Sequence, residues 1–341
     1  MIKPTVHDIA REAGVSLATV DRVLNGRPGV RKATIEKVTA VIERIGYVRD
    51  TSAANLARQR QYTFVFVLPE GSSQFVESIR VALREAYSSQ LADRVLLRVV
   101  SVPTHDPHTI VLALRSIELN TVDGIALMVP ETPQVRDAIA RIKQGGVAVV
   151  AFASDLPSSP RDFFVGIDNV KAGRTAALLM GKFLKKDGEI LVATNSIRAR
   201  DSLERRLGFD AVMQSDFPHL TVLPTLESFD DPERMEEIVL SQLIRRPRIA
   251  GIYSMGAGNQ LVGNALRRSA RAAELSVVVH ELTPPTRAGL LAGEIDAVIA
   301  QNVGHLVRGT LRVLRSLSDG LPIFEAQERI RIDILLRENL P

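Results

Sequence analysis

The sequence contains no cysteine and no tryptophan in 341 residues, and only four tyrosines. Without cysteine there is no disulfide, no thiolate nucleophile and no thiolate-held zinc or iron–sulfur site. A cysteine-free chain fits a reducing compartment. Long apolar runs are missing too. Stretches such as VAVVAFA at 147–153 are far too short to span a bilayer, and the opening MIKPTVHDIAREAG lacks the apolar stretch of a secretory signal. The expectation is a soluble, cytoplasmic protein with no membrane partner. With 45% hydrophobic and 24% charged residues, the composition excludes a mostly disordered chain or a collagen. The length leaves room for two or three domains.

The usual enzyme fingerprints are also missing. MGAGN at 255–259 would need a glycine at 261 to read as a dinucleotide loop, and Leu261 stands there. No GxxxxGK[ST] loop, HExxH pair or GxSxG elbow occurs. The six histidines are scattered. Only His105 and His108 are close, in SVPTHDPH, with no third ligand at a known spacing. No metal, no cofactor and no enzymatic activity is expected.

What is present begins with a segregated charge. Residues 1–62 hold 11 Lys and Arg against 6 Asp and Glu, a charge of +5, whereas the remaining 32 basic and 33 acidic residues give −1. A basic segment on a neutral body points to a polyanion as that segment's partner. The same segment reads as short helices. Thr5 with Asp8 three residues on is a capping box, and Ile9, Ala10 and Ala13 form one apolar stripe. Gly14 breaks the helix at a position suited to positive φ. Ser16 caps a second helix, LATVDRVL, with Val20, Val23 and Leu24 inward, and Asn25-Gly26 ends it. A third helix over about 32–45 carries Ile35, Val38, Val41, Ile42 and Ile45 on one face, with Gly46 after it. Two helices across a tight glycine turn, closed by a third, make a helix-turn-helix. DTSAANLARQR at 50–60 has one large apolar residue, Leu56, and cannot bury a face of its own; it reads as a marginal helix or a linker.

From Thr63 the pattern changes. Ten apolar runs alternate with amphipathic helices: TFVFVLP, RVLLRVVSV, DGIALMV, VAVVAFA, DFFVGI, GEILVAT, LTVLPT, IAGIYSM, LSVVVHE and IDAVIAQ. Near-continuous apolar strands between helices argue for parallel sheets covered on both faces. Ten are too many for one open sheet, so two doubly wound halves are expected, with a break near SDLPSSPRD at 154–162. In such sheets ligands sit at the carboxyl ends of the strands.

TVHDIAREAGVSLATVDRVLNGRPGV, followed by ATIEKV, IGYV and AANLA, resembles the DNA-binding headpiece and hinge of the LacI (lac-repressor-type) family of transcriptional regulators. VGIDNVKAGRTAA, RARDSLERRLGF, GIYSMGAGN and VHELTPPTR resemble the effector-binding core of the same family, which is similar to type I periplasmic binding proteins. The resemblance implies an α/β chain: an all-α helix-turn-helix headpiece at 1–49, a hinge at 50–61, and an effector-binding and dimerisation domain at 62–341. That domain would divide into a first half of about 62–160 with 303–320 and a second of about 161–302 with 321–341. The partner it implies is double-stranded operator DNA with a pseudo-palindromic sequence, which a homodimer would read. The helix after Ser16 would lie in the major groove, where Arg22 can pair bidentately with guanine and Leu17 and Ala18 can meet a thymine methyl. Ser16, Thr19, Thr34 and His7 suit phosphate contact, and Asn25 ends the reading helix. Leu56 would wedge into the minor groove, flanked by Ala53 and Ala57, small enough for close approach. Three residues depart from the family's habit: Asp21 for Ser, Arg31 for a capping Ser or Thr, and Arg49 for Pro. Asp21 would approach phosphate or orient Arg22, and so weaken non-specific binding.

For the effector, a polyhydroxylated molecule needs paired donors and acceptors and an apolar wall. The strand-end loops of the first half offer Ser73, Gln74, Phe75, Glu131, Ser154 and Asp155; those of the second offer Asp168, Arg200, Ser254, Asn259, Glu281 and Gln301. By resemblance Asp155, Arg200 and Gln301 would bond it directly. Asp168 could equally cap the helix it precedes, and Glu281 could be solvated. The wall would come from Phe75, Phe152 or Phe163. Ser202 and Ser254 replace the His and Asn of the family's RDH and YN motifs. A small sugar or polyol is favoured, with a sugar acid or phosphate left open. The expected function is a repressor controlled by that effector. The rivals are a solute-binding protein of a sugar transporter and a nucleotide-dependent enzyme on the same kind of sheet. The apolar stripe Leu306, Val307, Leu311, Val313 and Leu314 reads as core rather than dimer surface, and the tail RIDILLRENLP lacks a sustained heptad, which argues for a dimer rather than a tetramer.

Overall fold

The computed structural model describes residues 4–24, 27–45, 47, 60–71, 73–90, 94–103, 106–229, 231–256 and 258–341. Asn25, Gly46, Arg49, the hinge residues Ala53, Leu56 and Ala57, and His105 lie outside the described residues. The chain forms two compact units, Met1–Arg60 and Gln61–Pro341.

The first unit holds helices α1 (Val6–Ala13), α2 (Leu17–Leu24) and α3 (Lys32–Ile45). The capping box is formed: the Asp8 amide donates to Thr5 Oγ1 at 3.3 Å and the Thr5 amide to Asp8 Oδ2 at 2.9 Å. Gly14 closes α1 at φ 60, where a side chain would be strained. The Thr19 amide donates to Ser16 Oγ at 3.2 Å. The core is Ile9, Ala10, Ala13, Val20, Val38 and Val41. Ile35 was expected on that face and is instead 41% exposed. Ile35 stands in the first turn of α3, ahead of Val38 and Val41, the residues of that helix that enter the core.

In the second unit all ten apolar runs are strands, and they form two sheets. The first is β1 (Tyr62–Pro69), β2 (Val95–Val102), β3 (Gly124–Leu127), β4 (Ala148–Phe152) and β5 (Phe163–Val165), parallel throughout in the order β2-β1-β3-β4-β5. The second contains β6 (Gly188–Thr194), β7 (Leu220–Glu227), β8 (Ile249–Ser254), β9 (Ser276–His280), β10 (Ala297–Ala300) and β11 (Asp333–Leu335), in the order β11-β10-β9-β8-β6-β7. Only the tail strand β11 runs antiparallel. The boundary after residue 160 needs correction. Phe163–Val165 pairs with β4, so the first sheet keeps the chain through Val165. The LPSSP stretch is a loop within that half rather than a passage between halves.

Helix Val303–Ser318 follows β10 of the second sheet yet packs on β3, β4 and β5 of the first. Its stripe Leu306, Val307, Leu311, Val313 and Leu314 is buried, as a core stripe should be. In the second half, helices Asn169–Phe183 and Arg200–Asp216 cross at two glycines. A Cβ on Gly173 would stand 1.9 Å from the Arg205 carbonyl oxygen, and one on Gly208 2.0 Å from that of Val170. Backbone therefore meets backbone, and this closeness places Arg205 beneath the strand ends.

Candidate functional site

On α2, Leu17, Ala18, Asp21 and Arg22 are all exposed, with Leu17 43% exposed, while Val20 is buried. Positions i, i+1, i+4 and i+5 share one face of a helix, so the outward surface is two apolar side chains beside a guanidinium. Arg22 forms no ion pair among the described residues. The Asp21 carboxylate lies 3.4 Å from the Arg27 guanidinium. His7 and Ser16 are exposed, and Thr19 and Thr34 half-exposed. Arg31 caps α3 with its carbonyl alone, which accepts from the Thr34 and Ile35 amides.

The strand ends of the body gather a different kind of surface. In the first half the acidic residues hold their own loop. Glu131 accepts from the Ser158 amide at 2.9 Å and from Ser159 Oγ at 2.8 Å. Asp155 forms a two-pronged pair with Arg161, with Nη2 at 2.8 Å. Gln74 is exposed, and Phe75 and Phe163 are half-buried against the core. Phe152 cannot serve as a wall. It is fully buried, edge-on to Phe66 with ring centroids 5.6 Å apart.

In the second half four of the expected residues meet in one buried network, built around a residue the sequence reading passed over. Arg205 is 2% exposed. Its Nη2 donates to Glu281 Oε1 at 3.0 Å, its Nε to Asn169 Oδ1 at 2.8 Å and its Nη1 to the Met255 carbonyl at 2.6 Å. Gln301 donates to the same Glu281 oxygen at 3.3 Å. Ser254 donates to Asn259 at 2.6 Å, and Asn259 in turn to the His280 carbonyl at 2.6 Å. Tyr253 Oη and His280 Nε2 lie 2.8 Å apart. Glu281 is therefore not a solvated strand end. Burial pushes its carboxyl pKa up, against the pull of Arg205. Burial opposes the Arg205 charge, yet Glu281 and Asp201 outweigh it and raise that pKa. Burial holds the His280 imidazole neutral, well below the usual range, and raises the Tyr253 phenol. Three buried polar atoms of this network, Asn169 Nδ2, His280 Nδ1 and Gln301 Oε1, have no partner among the described residues.

Asp168 and Arg200 lie outside the network. Asp168 caps the helix after it, accepting from the Lys171 amide at 2.9 Å. Burial would raise its pKa, but its bonds with Lys171 win and lower it. Arg200 pairs with Glu204 one turn along at 2.5 Å. Ser202, in place of the family's histidine, shares a buried bond with Thr194 at 3.0 Å. Arg205 did have a sequence signal: with Ser202, Gly208, Phe209 and Val212 it lies on the inward stripe of its helix, where an unpaired charge would not be tolerated. Among the described residues no three metal-ligating side chains come together, and no helix is long and apolar enough to cross a membrane.

The two halves share one backbone device. Ala153 after β4 and Glu281 after β9 both have positive φ, 62 and 70, and each donates its amide to the next strand of its sheet, to Val165 and Ile299. Non-glycine residues held there store strain of order 1–3 kcal/mol, and such residues cluster at ligand sites.

Residues 5–50 match the family model for bacterial regulatory proteins of the lacI family, and residues 64–322 match the periplasmic binding protein domain. The chain is 30% identical over 181 residues to catabolite control protein A of Streptococcus mutans, covering 52% of this chain and 51% of that one. It is 28% identical over 178 residues to the transcriptional regulator DegA of Bacillus subtilis, covering 52% and 51%. The chain thus spans about half the length of these curated relatives. An ABC transporter solute-binding protein of Burkholderia graminis, solved with D-arabinose, superposes with a TM-score of 0.73 at 25% identity, over 82% of this chain and 96% of the other. With a lacI-type model on its helical unit and a binding-protein model on its body, the chain belongs to the LacI family of bacterial regulatory proteins.

Proposed function

We propose that this protein is a cytoplasmic, homodimeric transcriptional repressor whose operator affinity is set by a small neutral sugar or polyol held at the strand ends of the body, between its two halves. The observation that carries the DNA half of this reading is α2, which keeps Leu17, Ala18 and Arg22 on an exposed face while Val20 anchors it. That is the arrangement a major-groove reading helix needs. Ser16, Thr19, Thr34 and His7 would position it on phosphates, with Asp21 beside them. In the hinge, Ala53, Leu56 and Ala57 would act at the minor groove. The dimer would read two half-sites.

For the effector, the charges at the strand ends argue for a neutral molecule. Asp155 is paired with Arg161, Arg200 with Glu204, Asp168 with Lys171, and Arg205 with Glu281. A sugar acid or phosphate would need a cation without a partner, and at these strand ends only the exposed Arg198 after β6 offers one among the described residues. A hydroxyl, both donor and acceptor, suits Asn169 Nδ2 and Gln301 Oε1. The D-arabinose held by the fold neighbour supports the same chemistry. A solute-binding protein without DNA binding is disfavoured by the match of residues 5–50 to a regulator headpiece.

The test is binding to the DNA upstream of the protein's own gene, titrated with salt, with the chain intact and with residues 1–60 deleted. A repressor binds with a steep salt dependence, loses that binding on deletion, and silences a reporter on that DNA. A thermal-shift panel of neutral aldoses, polyols, aldonic acids and sugar phosphates tests the effector class: stabilisation by neutral members alone is expected, and stabilisation only by anions would overturn it.

A further inference from the structure

Helix Val303–Ser318 begins two residues after Gln301 and ends against Tyr62. At its start Asn302 caps it, accepting from the His305 amide at 2.7 Å, while the neighbouring Gln301 donates to Glu281. Along its length it is clamped to the first sheet: a Cβ on Gly124 of β3 would stand 2.8 Å from Leu314 Cδ2. At its end Tyr62 Oη lies 2.9 Å from both carboxylate oxygens of Asp319. The Arg315 guanidinium sits over the Tyr62 ring, 5.3 Å from its centroid. Ser318 Oγ donates to the Asp123 carbonyl at 3.3 Å, and the Asp123 carboxylate accepts from the Thr63 amide at 2.9 Å. Tyr62 is 1% exposed. It is the second residue of the body unit, reached by the chain directly from the hinge segment.

One helix of 16 residues, roughly 24 Å long at about 1.5 Å per residue, therefore joins the buried network to the start of the body's first strand. A packed helix transmits displacement instead of absorbing it, because close-packed interiors are hard to compress. We propose that this helix is the transmitting rod of the regulator, and that the Tyr62–Asp319–Arg315 clasp is where the state of the Glu281–Gln301 network is passed to the segment that leads to the headpiece. The proposal rests on the reading above, in which a ligand at the strand ends changes DNA affinity. Tyr62, Asp319 and Arg315 act as positioning residues, in contact with neither ligand nor DNA. Phenylalanine could fill the same space as Tyr62; what the hydroxyl adds is a fixed register between helix end and first strand.

The first test needs no effector. Hydrogen exchange on the full chain compares wild type with Glu281→Gln, and with the milder Gln301→Asn should the first variant fold poorly. Faster exchange by about threefold is expected in the first turn of the helix and also at residues 62–64. Adding Tyr62→Phe should keep the first change and abolish the second. A change confined to the network, or an unaltered second change in the Tyr62→Phe background, overturns the proposal. The second test is a double-mutant cycle on affinity for the DNA upstream of the gene. Glu281→Gln should shift that affinity by about threefold or more in wild type and by less than about 1.5-fold with Tyr62→Phe or Asp319→Asn present. Equal shifts in both backgrounds sink the rod. A chain that binds no DNA would instead fail the repressor reading, with the exchange result still deciding the rod.

Discussion

In the headpiece the side chains assigned to base reading, Leu17, Ala18 and Arg22, are exposed; in the second half of the body the side chains assigned to the effector turn inward and bond one another. Leu17, Ala18 and Arg22 sit exposed on a helix of eight residues that buries Val20 and packs Val23 and Leu24 against the core. Arg205, Glu281, Asn259 and Ser254 are buried and bonded to each other or to backbone. A surface that must meet many DNA sites and choose among them needs groups free to pair with phosphates and base edges. A site for a small neutral ligand needs a pre-formed lining, because an unsatisfied buried charge would cost more than any hydroxyl could return. Mutations should therefore differ in what they change first: those in the body act on stability, and on DNA affinity only through the helix that leads from the network, whereas those in the headpiece act on DNA affinity directly.

The largest effect is expected from Glu281→Ala. It leaves the Arg205 guanidinium buried without its carboxylate and should cost the body about 3–5 kcal/mol in denaturant unfolding. Replacing both partners, Arg205→Met with Glu281→Leu, should cost less than the single change, since it is the stranded charge that destabilises. If the single and double variants unfold alike, the pair is not the centre of the network. Next comes Gly173→Ala, whose new methyl would meet the Arg205 carbonyl oxygen at 1.9 Å. Two helix backbones must part, at a cost of about 2–3 kcal/mol. Calorimetry that left the body's transition unmoved would mean the helices can separate freely. Neither change should alter DNA binding by the headpiece on its own.

The same contrast explains what could be read from sequence. The headpiece was legible because its determinants are local. The capping box spans Thr5 to Asp8, the turn is one glycine, and the inward stripes repeat at helical spacing. The ten strands were legible for the same reason, as runs of β-branched and apolar residues. Ile35 failed because burial in a helix's first turn depends on its neighbours in space, which helical spacing does not show. The end of the first sheet failed because Phe163–Val165 finds its partner through pairing with β4, which a break-like LPSSP obscures. At the site, Ser254, Asn259, Glu281 and Gln301 were found from their places after strands. Their binding partner was not, because Arg205 lies 76 positions from Glu281 and 36 from Asn169. In RARDSLERRLGF four arginines compete for attention; the helical period separates Arg205 from Arg200, and the inward stripe is the evidence of its burial that spacing could have supplied.

Within the headpiece, Arg22→Ala should reduce operator affinity by about 1–3 kcal/mol and relax the choice of one base pair, as loss of a bidentate guanine contact does. Uniform weakening on every sequence would make Arg22 a phosphate contact instead. Competition binding against operator variants distinguishes the two.

Asp21→Ser should have the smallest effect, and in the opposite direction. Asp21 shares the exposed face with Arg22 but lies beside Arg27, and both partners are about half exposed, at 51% and 58%. An ion pair that open is worth at most about 1 kcal/mol to stability, so the variant should unfold as wild type does. On DNA the carboxylate repels phosphate and competes for Arg27. Removing it should tighten binding to random sequence a few-fold and steepen the salt dependence by about one phosphate contact. Operator affinity should rise less, because the base contacts proposed for Arg22 would be unchanged, and the ratio of specific to non-specific binding should fall. An unchanged salt slope would show that Arg27 stays with the protein rather than the phosphates, and that Asp21 does not act against DNA.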